Sequence, residues 1–193
     1  MMLRINHLQA LFVLTMLLVS ACRPIVAPDQ LPSQPIMVQP LLPLQTSFLF
    51  NIQIDLAPPR DIGSTPELGI RYLYDFKGGR VAGANLRGEI LPTGENWFLI
   101  RDNCVSDLYM EGQLRTDDGA LISFVSHSYA RTTPEVRQAI FAGAAINPDD
   151  YDFRGVPFFE TDAPQYDWLN HVVTVATYRF APEQVTISVF AIE

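Results

Sequence analysis

Glu160 is the carboxylate in this sequence best surrounded for acid–base work. Phe158 and Phe159 precede it, and Tyr166 and Trp168 follow closely. Turned inward among those rings, its carboxyl would lose hydration, hold its proton to higher pH and exchange it with a bound molecule. Turned outward, it would pair with an arginine. Phe158 and Phe159 are both apolar, so alternation leaves both orientations open. Asp117-Asp118-Gly119 offers a second carboxylate group, with Asp118 as the candidate base. The same tripeptide is what a tight turn requires for backbone reasons, and the turn is the favoured reading. Arg71, Arg87, Arg101 and Arg115 fall on separate predicted strands. A guanidinium fork suits a carboxylate or enolate ligand, although pairing with the 21 acidic residues is the commoner fate of a surface arginine. Arg71 stands opposite an aromatic face in its own strand and is the strongest anion-binding candidate. Trp97, Tyr166 and Trp168 suit stacking against a ligand and suit core filling equally.

Other chemistries lack their residues. Past His7 the histidines are His127 and His171, and neither H-E-x-x-H nor C-x-x-C spacing occurs, so no metal site is expected. Asp149, Asp150 and Asp152 read as a solvated acidic loop, since the calcium-loop pattern D-x-D-x-D-G is missing. There is no G-x-S-x-G elbow, phosphate-binding loop or dinucleotide fingerprint, and no cofactor is expected. Cys104 lies near Asp102 without an activating base and reads as a quiet thiol. A formal net charge of −8 with no basic run argues against nucleic acid as a partner.

These residues need elements to position them, and the first elements concern address. Arg4 is followed by an almost wholly apolar stretch at 8–18, too short to span a bilayer. Val19-Ser20-Ala21-Cys22 then resembles the lipobox of bacterial lipoproteins. The resemblance implies a signal peptide at 1–21, cleavage before Cys22, and lipid on that residue. The protein would then be anchored in the cell membrane or outer membrane and face the periplasm or the exterior. With Cys22 lipidated, Cys104 has no partner for an intramolecular disulfide. Residues 22–46 form a Pro-rich tether, in which Pro24, Pro28, Pro32, Pro35, Pro40 and Pro43 favour an extended chain.

Residues 47–193 carry the folded domain. Phe48, Phe50, Ile52, Ile54 and Leu56 alternate with polar residues, the mark of a strand with one buried face. Further strands are expected at 69–76, 86–91, 96–101, 107–116, 120–128, 156–161, 172–180 and 184–192. Lys77-Gly78-Gly79-Arg80 and Asp117-Asp118-Gly119 are expected as hairpin turns. The one helix is predicted at 134–143, with Thr133 as cap and Pro134 in its first turn. A turn or single helical turn is expected at 166–170. About eight to ten strands without a β-α-β rhythm predict an antiparallel up-and-down β-barrel, because closure removes exposed edges. A flat sandwich is the alternative.

Several segments resemble one family in order along the domain. They are Gly69-x-Arg71, Gly78-Gly79-x-x-x-Gly83, L-R-G-E-I-L-P-x-G-x-x-W at 86–97, and L-R-T-D-D-G-A-L-I at 114–122. Pro134-Glu135-Val136, Tyr151-Asp152-Phe153-Arg154 and P-x-F-E-T-x-A-P-x-Y-x-W-L-N at 157–170 complete the set. The domain resembles the bacterial and fungal family known as domain of unknown function 3237, or uncharacterised protein family 0311. The resemblance implies an antiparallel β-barrel and no settled activity. A few relatives in natural-product pathways look like cyclisation or hydration catalysts. Two departures stand out: Asn96 replaces a usual Asp before the Trp, and Glu111-Gly112 replace a frequent Arg-Tyr. An amide does not titrate, so Asn96 is a ligand-binding candidate and not an acid or base.

Three functions are compatible with these residues. The leading one is a membrane-tethered barrel that binds a small molecule, with Arg71, Asn96, Trp97, Tyr166 and Trp168 at the site. The second is a cofactor-free enzyme for cyclisation, hydration or isomerisation, with Glu160 or Asp118 as base. The third is a structural or interaction module of the cell envelope.

Overall fold

The computed structural model describes residues 43–65, 68–101, 105–144, 146–181 and 183–193. The leader, Cys22, the tether up to residue 42, Asp102 and Cys104 lie outside the described residues. The elements run β1 (Thr46–Leu56), β2 (Arg60–Thr65), β3 (Gly69–Gly83), β4 (Arg87–Ile90), β5 (Glu95–Ile100), β6 (Val105–Thr116) and β7 (Leu121–Arg131). They continue with α1 (Pro134–Phe141), β8 (Asp152–Glu160), β9 (Thr174–Ala181) and β10 (Gln184–Ile192), with 3-10 turns at Pro148–Asp150 and Pro164–Asn170. No helix among the described residues is long and apolar enough to cross a membrane.

Every pairing is antiparallel, and the ring closes where β1 pairs with both β10 and β3. The result is a closed eight-stranded barrel with two additional strands. Two positions in the ring are interrupted staves. β4 and β5 do not pair with each other; β4 bridges the far half of β3 to β6, and β5 bridges the near half. Leu91 N donates to Gln113 O, and Phe76 N donates to Gly94 O, carrying the ladder past the break. On the other side of β3, β1 pairs over 76–83 and β2 over 69–73.

Two local expectations need correction. Lys77-Gly78-Gly79-Arg80 is not a hairpin turn, because β3 runs unbroken through it. Leu56 faces Phe76 while Asp55 faces Gly78, so Lys77 is an extra residue that bends the strand. Gly78 and Gly79 have φ of 127° and 149°, and a Cβ on Gly79 would fall 2.0 Å from Gln53 O. The paired glycines therefore serve a bulge and a close backbone approach. The break at Pro58 and Pro59 is also followed by strand β2, whose Gly-containing, polar sequence carries no alternation.

Inward-facing residues build the core by period-two alternation: Ile52 and Ile54 on β1, Leu108, Met110 and Leu114 on β6, and Ile187 and Val189 on β10. Four rings cross the middle of the barrel. Phe50 meets Phe159 at 5.4 Å, Phe159 meets Phe124 at 6.3 Å, and Phe124 stacks on Phe76 at 6.5 Å. Gly112 makes room for them, since a Cβ there would lie 2.8 Å from both Phe124 and Phe76. The interior is thus solid at mid-height, and any ligand space must lie above or below this plug.

Candidate functional site

One end of the barrel is open above the plug. The ends of β1, β5, β7 and β9 and the starts of β6 and β10 form its rim, and α1 lies over it. A cavity of about 320 Å³ occupies this mouth, within the range of about 300–1,000 Å³ usual for ligand sites. Thr133 caps α1 by accepting from Val136 N at 3.3 Å, and Pro134 sits in its first turn. The helix is seated by Phe141, whose ring meets Tyr72 at 5.1 Å and Phe98 at 6.0 Å. None of its residues is fully buried, so a few aromatic contacts hold it.

The cavity gathers polar groups that nothing answers. Asn96 on β5 is 4% exposed, Ser106 on β6 1%, and Thr132 just past β7 7%. Asn96 Oδ1, Ser106 Oγ, Thr132 Oγ1 and Arg137 Nη1 are all buried without a hydrogen-bond partner, and all four residues line the cavity. Buried polar atoms are almost always satisfied, and each one left alone costs about 1–3 kcal/mol. Four such atoms around one space mark it as the candidate binding site. Rim groups do not supply the partners. Glu183 is bound to Lys77 Nζ at 3.0 Å, and the Gln184 amide donates to Asp55 at 2.7 Å. Tyr74 also lines the cavity; burial, with the nearby Tyr72, pushes its hydroxyl up to about 12. It therefore stays protonated at neutral pH and acts as a donor. A groove of about 650 Å³ on the outer wall, along Tyr129, Val156 and Phe190, is larger but has none of these unanswered atoms.

The structure distributes the predicted site residues over three places. Asn96 faces the cavity. Arg71 and Trp97 are on the outer face and meet there, with the guanidinium carbon 5.6 Å from the ring centroid and the indole N–H donating to Glu95 at 2.6 Å. Asp118, Tyr166, Trp168 and Glu160 lie at the opposite end of the barrel. Asp118 accepts from the Thr116 hydroxyl, from Gln165 at 3.2 Å and from Tyr166 at 3.1 Å. Those bonds, Thr116 foremost, hold its carboxyl below the ordinary range. It ties the β6–β7 turn to the 3-10 turn at Pro164–Asn170. Tyr166 and Trp168 pack on the core from that turn. Glu160 is exposed at the end of β8, while Phe159 takes the inward position. Arg87, Arg101 and Arg115 are exposed, with Arg101 on Asp107 and Arg115 on Glu89.

Ser106, Thr132 and Arg137 belong to no motif. A signal existed for Ser106 alone: it shares the inward face of β6 with Leu108, Met110 and Leu114, where a polar residue is out of pattern. An Asp–His pair on the outer wall was likewise hidden by sequence distance. His127 Nε2 lies 2.6 Å from Asp107 Oδ1, and neither residue lines the cavity.

Residues 44–192 match the family model described as Protein of unknown function (DUF3237). A UPF0311 protein of Clostridium acetobutylicum is 34% identical over 146 residues, 75% of this chain and 91% of that protein. A crystal structure of a conserved protein of unknown function from Rhodopseudomonas palustris superposes with a TM-score of 0.75 at 27% identity, covering 79% of this chain and 99% of that one. A β-barrel-like protein from Acinetobacter baumannii does so with a TM-score of 0.69 at 29% identity, covering 81% and 100%.

Proposed function

The chain belongs to the DUF3237 family of β-barrel proteins of unknown function, and from that premise we propose that it binds a small organic molecule in the mouth of the barrel, beneath α1. The observation that carries this is the convergence of four unanswered buried polar atoms on one cavity with apolar walls. Solid packing at mid-height argues for a mouth site and against a ligand threaded through the barrel. Binding is favoured over proton transfer by the identity of the lining. Among the described lining residues Glu183 is the one carboxylate, and it is engaged at the rim. Tyr74 holds its proton at neutral pH, and Asn96 does not titrate. Asp118 and Glu160 are at the other end. Native mass spectrometry of the full-length chain after incubation with cell extract tests the reading. A retained small molecule of fixed mass is expected. Thr132→Trp, which places an indole in the cavity, should abolish it without lowering the melting temperature. Retention that survives Thr132→Trp would refute the site.

We also propose, from the sequence alone, that the protein is an exported lipoprotein, held to a membrane through Cys22 and displaying the barrel on the outer side. This rests on the apolar stretch at 8–18, the Val19-Ser20-Ala21-Cys22 run and the prolines that follow. Metabolic labelling with palmitate should mark the protein and not its Cys22→Ser variant. A Cys22→Ser protein that stays membrane-bound would count against lipid anchoring.

A further inference from the structure

The cavity has two unlike walls. Around the ring, β5, β6 and β7 are neighbours, and β9, β10 and β1 stand across from them. The unanswered groups Asn96, Ser106 and Thr132 all come from the first set, and Arg137 joins them from α1, the element that follows β7. The second set offers Leu56, Ala57, Pro58, Phe180 and Ala181, and its polar members Glu183 and Gln184 are engaged by Lys77 and Asp55. A molecule that satisfies both walls has a polar head at one end and an apolar body at the other.

The charge of the head follows from the lining. Arg137 brings a guanidinium with Nη1 buried and unpartnered. The carboxylate at the rim, Glu183, is taken by Lys77. A cationic head would meet a like charge. A neutral head would leave the buried Nη1 of the guanidinium without a counter-charge. A doubly charged phosphate ester would meet one cation only. A singly charged oxyacid matches, and a carboxylate matches best, because its two oxygens accept in parallel from the planar guanidinium fork. Ser106 and Thr132 add hydroxyl donors beside it. Asn96 turns either its oxygen or its NH2 to the ligand, so it accommodates a substituent of either kind. A volume of about 320 Å³ holds a body of one or two rings.

We infer that the occupant of the mouth cavity is a small apolar monocarboxylate, held with its carboxylate on Arg137 and its body against Leu56 and Phe180. This rests on the cavity being the binding site proposed above. Arg137 and Phe141 belong to the same short helix, so the residue that captures the charge and the ring that covers the apolar body are brought in together. Ligand binding should therefore tighten α1 on the barrel.

The test uses 2-naphthoate and 2-naphthamide, which share ring and shape and differ in charge, titrated into the full-length chain by calorimetry. Naphthoate should bind on the order of tenfold or more tightly than the amide, the ratio expected for a charge-assisted pair. Arg137→Gln should erase that ratio by weakening naphthoate the more, and an unchanged unfolding midpoint reports that the variant is folded. Arg137→Lys should recover part of it. Amide hydrogen exchange over Pro134–Phe141 should slow with naphthoate. Equal binding of acid and amide, or a preference that survives Arg137→Gln, overturns the inference and leaves the cavity reading standing. Failure of both compounds to bind overturns the cavity reading itself, and the inference with it.

Discussion

Asn96→Leu should make the unliganded protein more stable. Asn96 is 4% exposed, and its Oδ1 has no partner. An unsatisfied buried polar atom costs about 1–3 kcal/mol, and leucine is close to asparagine in size. Removing the amide should therefore raise the unfolding free energy by about 1–3 kcal/mol. For a folded part of roughly 150 residues, that is about 2–10 °C in melting temperature. Ser126→Ala is the internal control. Ser126 is equally buried, but its hydroxyl is hydrogen-bonded to the buried Tyr178 hydroxyl. Its loss should destabilise by about 1–2 kcal/mol. Both variants are read by guanidinium unfolding, followed through the fluorescence of Trp97 and Trp168, with the denaturant slope held constant as the two-state check. Opposite signs at two buried polar positions of one barrel would separate a binding position from a structural one. A loss of about 1 kcal/mol or more in Asn96→Leu would refute the reasoning, since it would mean that the amide is already satisfied in the free protein.

Other consequences follow from the same coordinates. Gly79→Ala should cost about 3 kcal/mol or more or abolish soluble expression, because its Cβ meets the Gln53 carbonyl at 2.0 Å. Gly119→Ala meets nothing within 4 Å and pays only for its φ of 91°, about 1 kcal/mol; similar melting curves for the two would contradict the bulge. Asp118 has a depressed pKa, so the stability its hydrogen bonds provide is present above the ordinary carboxylate range and is lost as pH falls through its folded value. Asp118→Asn should lower the melting temperature at neutral pH and flatten its decline on acidification; an unchanged acid slope would contradict this role. Tyr74 and Tyr178 are both pushed up to about 12 by burial, and burial raises Tyr166 as well, so ultraviolet titration should show late-ionising tyrosines. Their raised values favour the folded state below the ordinary tyrosine range and withdraw that support as pH rises toward 12. Tyr74→Phe should remove one late step.

Much of the barrel is written in local pattern. The alternation from Phe48 to Leu56 predicts β1, and Asp117-Asp118-Gly119 predicts the β6–β7 turn, with Gly119 at φ 91°. Thr133 and Pro134 predict where α1 begins. Failures came where one local signal has two structural uses. Gly78-Gly79 suits a hairpin and a bulge alike, and the choice depends on whether another backbone passes within 2.0 Å of the missing Cβ. Glu160 is ambiguous for the same reason: the two residues before it, Phe158 and Phe159, are both apolar, and the register of β8 against β7, with Phe159 facing Phe124, is what turns it outward.

Sequence alone was enough for the class of fold, because strand periodicity and turn chemistry act over a few residues and closure follows from the need to pair edges. Resemblance in ordered motifs was enough for the family. The site was decided by the tertiary structure. Asn96, Ser106, Thr132 and Arg137 come from three staves and a helix, and nothing in their spacing announces that they meet. Their common property is the lack of a partner, and a missing partner exists only once the chain has closed around the space where that partner belongs.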